Sequence, residues 1–473
     1  MHMKTVFITF SVHTTLRNLF LFPGGFFDQL KTAIKKNPKL RVVFILRPRD
    51  KEKYEALLKT ASENQIAIRY VDAPSLRTPL QKIFRFFYAY LLFTDTTRIL
   101  TTMGMRVEEP PAASARFLTP LRILIARTFG RSRFVRRRVV PWLFIRIFRN
   151  RPFQKIFDEF KPDLVFATHI YGDYDAFVLA EAYRRGVKTA GMPAGWDHVD
   201  KYFLPFHLGR LFVPSPQVAS HAVRFQGYEK DELVITGYPN FDFLVDPKSE
   251  ISRLDILSKF NLSPSSRYIL YVSGSAYCPD EPDIIEKIVS WISAGEFGGE
   301  MYLVLRPYLG SRSKDRAFDE KKFARLQNHP RVIYYDEKSW DTLEDSKIFL
   351  NLMRHASVAI CVYSTVFVES VIFDTPLVAT PFDGYHIRPH YRSIRRFSGF
   401  EHFKEVLKTG AVSEVYSFDE LKKILIEYLA NPKKDTEKRE RMRREVCAVL
   451  DGTASARLLS ALLKEAGVIE NKF

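Results

Sequence analysis

The stretch Ser357–Thr380, SVAICVYSTVFVESVIFDTPLVAT, reads as strand, tight turn, helix and strand. Ala359–Val362 is a short apolar run of the kind buried on both faces of a parallel sheet, and Thr375-Pro376 ends the helix before a second run, Leu377–Ala379. Ser364 and Thr365 fall where the helix begins. Unpaired backbone N–H groups, two hydroxyls and the positive end of the helix dipole converge there, which suits a phosphate. Glu369 lies four residues past Thr365 on the same helix face, about 6 Å along the axis. A carboxylate there can accept hydrogen bonds from a nucleotide ribose. The plainer alternative is an ordinary helix cap with a surface Glu. A capping box, however, needs its acid three residues past the cap, and Phe367 and Val368 occupy those places.

Apolar runs of the same kind lie on either side. RYILYV (267–272), MYLVLR (301–306) and RVIYY (331–335) extend the pattern into an α/β series. Ser273-Gly274-Ser275 follows the first run, where a glycine lets backbone approach a phosphate closely. Arg306 ends the second, where its guanidinium can neutralise a diphosphate. The polar segment Asp246–Ser266 reads as a connection between domains, so the expected division is residues 1–245 and 246–473. Three amphipathic segments, 419–430, 433–450 and 453–467, are expected to pack across the second domain.

The first half has its own series. TVFITF (5–10), RVVFIL (41–46) and IAIRYV (66–71) alternate with amphipathic segments over Leu16–Ile34 and Lys51–Ala61, and DLVFAT, VKTAGM, GRLFVPS and ELVITG continue the alternation after residue 160. SVHTTLRN after the first strand places His13 at the carboxyl edge, where open α/β sheets bind ligands. His169 follows DLVFAT, and Asp197-His198 sits on a loop after VKTAGM. Asp173-Tyr174-Asp175 has the form of a metal-diphosphate DxD. Two acids in the first turn of a helix are explained as well by the helix dipole.

Residues 77–160 break the pattern. Between Arg77 and Lys155 there are 17 Lys or Arg, three acids and 13 aromatics, so +14 of the formal +18 falls here. Arginines interleave with Phe, Trp and Leu at helical spacing, which predicts helices able to lie on an anionic membrane surface. Packing of the aromatics on the sheet with solvated arginines is the structural alternative. No nucleic-acid motif accompanies the charge, and no nucleic-acid partner is expected.

At 473 residues and 46% hydrophobic, the chain can fill two cores. Cys278, Cys361 and Cys447 are widely spaced and apolar in context, as expected of reduced thiols. The chain runs into its first strand without signal-peptide features, and no apolar run approaches the ~20 residues of a spanning helix. A cytoplasmic protein, peripheral on the inner face of the membrane, is the expectation.

Three motifs sharpen the reading. GYPNFD (237–242), YSTVFVE (363–369) and DGTASAR (451–457) resemble motifs of the CDP-glycerol glycerophosphotransferases, within the GT-B glycosyltransferase superfamily, and the wider pattern is similar to UDP-GlcNAc 2-epimerases. The resemblance spans mainly Glu232–Leu462. It implies two Rossmann-like parallel-sheet domains facing a cleft, with Ser364 and Thr365 on the donor diphosphate and Glu369 on its ribose. VLRPY departs from the family, many members of which carry a histidine near Tyr308. The resemblance therefore favours an inverting glycosyltransferase over a polyol-phosphate transferase. Its donor would be a nucleotide sugar, its acceptor a cell-envelope glycan or a lipid-linked acceptor, with no metal and no cofactor. An epimerase and a non-catalytic membrane or nucleic-acid binder are the further alternatives. An inverting transfer needs a base from the first domain; Asp197-His198 is the first candidate and His13 the second.

Overall fold

The computed structural model describes residues 3–52, 54, 65–74, 78–107, 117–308, 313–335 and 342–469. The chain forms two compact units, one of residues 1–97, 118–246 and 448–473, the other of 98–117 and 247–447.

In the first unit, seven strands form one parallel sheet: β1 (Lys4–Phe10), β2 (Leu40–Leu46), β3 (Ile66–Tyr70), β4 (Leu164–Ala167), β5 (Lys188–Gly191), β6 (Arg210–Val213) and β7 (Leu233–Ile235). Their order is β3-β2-β1-β4-β5-β6-β7. The central strands β1, β2 and β4 are short apolar runs, as burial on both sheet faces requires, while β3, β5 and β7 are less buried. The winding reverses between β1 and β4, which pair with Val6 opposite Leu164 and Thr9 opposite Ala167. The expected amphipathic segment Leu16–Ile34 is two helices, His13–Phe20 and Phe26–Lys36, parted at Pro23-Gly24-Gly25. Most of the expected segment Lys51–Ala61 lies outside the described residues.

In the second unit, six strands form another parallel sheet: β8 (Arg267–Val272), β9 (Met301–Arg306), β10 (Val332–Tyr334), β11 (Val358–Cys361), β12 (Leu377–Ala379) and β13 (Val412–Glu414), in the order β10-β9-β8-β11-β12-β13. The reversal falls between β8 and β11, where Ile269 pairs with Val358 and Val272 with Cys361. Ile284, Ile288 and Ile292, from the helix Glu281–Ser293, pack with Ile269, Leu303 and Ile360 in its core. Full burial of each such side chain contributes about 1.5–3 kcal/mol of transfer free energy.

Two segments depart from the expected linear division. The last helix, Ala454–Glu465, belongs to the first unit, where Leu458 and Leu462 join Val6, Leu30 and Phe44 in the core. Residues 98–117 of the basic excursion belong to the second unit. There the buried Arg396 guanidinium donates to the carbonyls of Gly104 and Met105 at 3.3 and 2.7 Å. Both are long-range contacts that no local periodicity announces.

The excursion is helical, with Pro79–Ala89, Thr119–Arg127 and Val140–Ile147 in the first unit. Thr78 and Gln81 close a capping box on the first of these helices. Phe84, Tyr88 and Phe144 are buried, while Leu80, Ile83, Leu121, Leu124, Phe129, Phe134 and Trp142 are exposed. The triple arginine divides by role. Arg137 forms a fork on Glu232 at 3.0 and 2.9 Å, and Arg136 donates to the carbonyls of Phe225 and Leu91. Only Arg138 of the three is exposed. Among the described residues, no helix is long and apolar enough to cross a membrane.

Candidate functional site

In an open α/β sheet the ligand crevice opens at the carboxyl ends of the two strands where the winding reverses. For the second unit these are β8 and β11, which feed Ser273-Gly274-Ser275 and Ser364-Thr365 respectively. Thr365 holds the cap position of the helix Val366–Ser370. Its exposed side chain makes no cap hydrogen bond, so its hydroxyl does not take the role of an ordinary N-cap. The Ser364 hydroxyl accepts loosely from the Val366 N–H at 3.4 Å. Glu369 donates its own N–H to the Thr365 carbonyl at 3.3 Å, which puts its half-buried side chain one helical turn beyond Thr365. Hydroxyls and a carboxylate spaced this way match a diphosphate followed by a ribose.

The loop after β8 is built differently from the sequence expectation. The Gly274 N–H donates to both oxygens of Glu281, at 2.9 and 3.1 Å. Glu281 is itself paired with Lys322, with side chains 2% and 1% exposed. Ser273 accepts from the Tyr308 N–H at 2.9 Å, and Ser275 donates to Asp319 at 2.9 Å. A buried acid needs donors, and Glu281 takes the backbone N–H expected to meet phosphate. The glycine has a packing reason, since a Cβ at Gly274 would sit 2.7 Å from Cys278 Sγ. The loop therefore shapes one wall of the crevice and offers its polar atoms inward.

Arg306 also departs from expectation. Its side chain is 1% exposed, its Nη2 donates to Asp345 at 2.9 Å, and its ζ carbon lies 4.8 Å from the Tyr335 ring centroid. The guanidinium is a buried cation beside Tyr335, just past the carboxyl end of β10, and is engaged by Asp345, 39 residues away in sequence.

In the first unit the reversal lies between β1 and β4, and their loops bring together more than the sequence singled out. His13, the first helical residue after β1, binds the Tyr54 phenol through Nδ1, with the two rings stacked. His169 follows β4. Both its ring nitrogens are buried without a hydrogen-bond partner, and burial, then the charges of His198 and Arg47, push its pKa down to about 3. Its ring lies 5.6 Å from that of His198, and Tyr171 stands edge-on to His198 at 5.5 Å. Asp197 and His198 are not a hydrogen-bonded dyad. Asp197 Oδ1 is 3.8 Å from His198 Nε2, and its other oxygen pairs with Lys201 four residues on in the same loop.

The DxD splits in the same way. Asp175 is fully buried and accepts from the hydroxyls of Thr9, at 2.7 Å, and Ser11; burial pushes its pKa up to about 7. Asp173 faces out and pairs with Arg85 at 3.4 Å. The two carboxylates therefore do not share one face. Arg47, at the carboxyl end of β2, lies over the Tyr174 ring at 5.0 Å. In the sequence Arg47 is marked only as a basic residue directly after an apolar strand.

Two Rossmann-like parallel-sheet domains in one chain define a GT-B-like fold, the class expected from the sequence. No protein-family model matches the chain, and no curated protein does. Solved structures do. S. aureus MnaA, in a co-structure with UDP, aligns over 99% of this chain and 98% of its own with a TM-score of 0.51 and 16% identity. UDP-GlcNAc 2-epimerase from Neisseria meningitidis, bound to UDP-GlcNAc, aligns over 97% and 100% with a TM-score of 0.52 and 13% identity. A glycosyltransferase from Rickettsia africae aligns over 98% and 99% with a TM-score of 0.50 and 11% identity. At such identities the likeness is one of fold.

Proposed function

We propose that this chain is a GT-B-type glycosyltransferase that moves a sugar from a nucleotide-activated donor to a cell-envelope glycan or lipid-linked acceptor. The observation that carries this reading is the turn after β11. An exposed Thr365 hydroxyl that caps nothing stands at the winding reversal, with Ser364 beside it and Glu369 one turn on. In this reading Ser364, Thr365 and the first N–H groups of the helix hold the donor diphosphate and stabilise it as it leaves, and Glu369 holds the ribose. Solved neighbours carrying UDP and UDP-GlcNAc support a uridine nucleotide as the donor carrier.

The base that takes the acceptor proton comes, in this reading, from the first unit. His13 now stands ahead of the Asp197-His198 pair. It follows a strand that flanks the reversal, and its Nδ1 is fixed by Tyr54, while the Asp197 carboxylate is engaged by Lys201.

The excursion supports a place on an anionic inner membrane surface, close to a lipid-linked acceptor. Phe134, Arg138, Trp142 and Arg146 recur every four residues, with Phe134 69% and Trp142 49% exposed and Arg146 lying over the Trp142 ring. Apolar side chains of this size beside cations suit the headgroup boundary.

A second reading is nucleotide-sugar epimerisation, favoured by the neighbours that are UDP-GlcNAc 2-epimerases. Polyol-phosphate transfer of the CDP-glycerol type is a third, resting on the sequence motifs. Incubation with UDP-sugars and with CDP-glycerol, with and without membrane lipid extracts, separates the three. Release of UDP with sugar appearing on an acceptor supports the proposal. A changed UDP-sugar with no acceptor present supports the epimerase, and CMP release from CDP-glycerol supports the third.

A further inference from the structure

The edge of the first unit holds a cation that the proposed chemistry does not yet use. Arg47 sits directly after β2, and the sheet order β2-β1-β4 sets it on one side of the end of β1, with His169 and Tyr174 following β4 on the other. Its guanidinium lies over the Tyr174 ring at 5.0 Å. Its Nε is buried without a hydrogen-bond partner, and it forms no ion pair among the described residues.

Several other arginines of this unit are engaged. Arg137 is forked on Glu232, Arg151 on Glu181, and Arg184 donates to the carbonyls of Ile145 and Phe148. Asp175, Asp72 and Asp50 all act on the Tyr174 ring and, among the described residues, none forms an ion pair with Arg47; the most buried of them is Asp175. It is turned instead toward the hydroxyls of Thr9 and Ser11. Near Arg47, Tyr174 Oη and both nitrogens of His169 are also buried without partners. A buried polar group left without a partner is destabilising, so such a group calls for a specific explanation.

A guanidinium held over a phenol ring by cation–π attraction still has N–H donors to offer two oxygens of one planar or tetrahedral anion. We propose that Arg47, lying over the Tyr174 ring, binds an anionic group, carboxylate or phosphate, of the molecule that the first unit holds. This deepens the transferase reading and rests on it for the role of that molecule: the acceptor is anionic near the hydroxyl that reacts. Arg47 is a binding residue here, and the phenol of Tyr174 is its platform.

Residue-resolved labelling tests the site in the full-length protein. Phenylglyoxal modification followed by peptide mapping reports Arg47 separately from the paired Arg137. Arg47 is expected to label faster than Arg137. Inorganic phosphate or glucuronate at ten times its dissociation constant should slow Arg47 about tenfold by simple occupancy. Glucose, and sodium chloride at matched ionic strength, should leave the rate unchanged. Protection by phosphate alone assigns a phosphorylated ligand, and protection by glucuronate alone a uronic or other sugar acid. An Arg47 that never labels, or that labels equally under every condition, overturns the proposal. UDP calorimetry on the same preparation separates the two ideas. Protected Arg47 without UDP binding would leave the anion site standing and remove the transferase reading, whereas UDP binding with unprotected Arg47 removes only the anion site.

Discussion

Asp242 accepts the backbone N–H groups of Ala454 and Ser455 at 2.8 and 2.7 Å, so the carboxylate of GYPNFD caps the helix that begins inside DGTASAR. Arg457 closes the joint with an Nε donor to the Thr236 carbonyl at 2.9 Å and two contacts to Asp451. Gly237, at φ 85°, is required as well, because a Cβ there would meet that of Ala454 at 2.9 Å. Two of the three motifs behind the family resemblance are thus partners in one structural joint that returns the chain end to the first unit.

Asp242→Ala should therefore act on stability and leave nucleotide affinity in place. Loss of an N-terminal cap is destabilising by about 0.5–2 kcal/mol. Differential scanning calorimetry should show a drop of about 2–4 °C per kcal/mol in a unit of this size. Equal melting temperatures for Asp242→Ala and wild type would show that the cap contributes nothing.

The first unit also carries two opposed pH dependences. Asp175, raised to about 7, contributes stability that is present below its unfolded pKa near 3.8 and is lost as pH rises through 7. His169, lowered to about 3, contributes stability present above 6.5 and lost as pH falls toward 3. Between pH 4 and 6.5 the two slopes oppose each other. Asp175→Asn should unmask a stability that rises with pH over that window, and His169→Gln one that falls. Denaturant midpoints at pH 4.5, 5.5 and 6.5 check both; parallel pH profiles for the two variants would contradict the assignment.

Much of this was legible in the sequence. Most of β1 to β12 fall within short apolar runs, because a strand buried on both faces must be apolar; β13, Val-Ser-Glu, and the half-polar β5, Lys-Thr-Ala-Gly, are the weakest signals. The turn at Ser364 was legible for the same local reason. What escaped was every pairing between distant residues. Nothing near Arg306 announces Asp345, nothing near Gly274 announces Lys322, and Arg136 to Arg138 look alike in sequence although two of them are held by Glu232 and by backbone carbonyls. Charge can be read from composition, but engagement of a charge depends on the folded neighbourhood.

The base assignment predicts a split among three variants. His13→Ala should lower turnover by about 100- to 10,000-fold while keeping donor affinity, as expected for loss of general base catalysis. Asp197→Asn should mainly lower stability through its Lys201 partner. Normal turnover in His13→Ala together with collapse in His198→Ala would return the role to the loop after β5.

Membrane attachment should follow the exposed apolar residues more than the arginine triplet. Vesicles rich in acidic lipid should float the wild type, and Phe134→Ser with Trp142→Ser should release it. Arg138→Ala should weaken flotation by about 1 kcal/mol. Arg137→Ala should instead lower the melting temperature, since Glu232 keeps His207 and the Glu229 N–H but loses its fork with Arg137. Flotation unaffected by the Phe134 and Trp142 pair would contradict insertion by this face.

Calorimetric titration of UDP into wild type, Glu369→Ala and Arg306→Ala tests the central claim most directly. The account predicts that UDP binds the wild type and that Glu369→Ala weakens it about ten- to a hundredfold, the loss of one charged hydrogen bond. Arg306→Ala should show its effect as a destabilisation of about 3–5 kcal/mol, from the Asp345 charge left buried. UDP affinity unchanged in Glu369→Ala, or no UDP binding to the wild type, would contradict a nucleotide site at the carboxyl ends of β8 and β11.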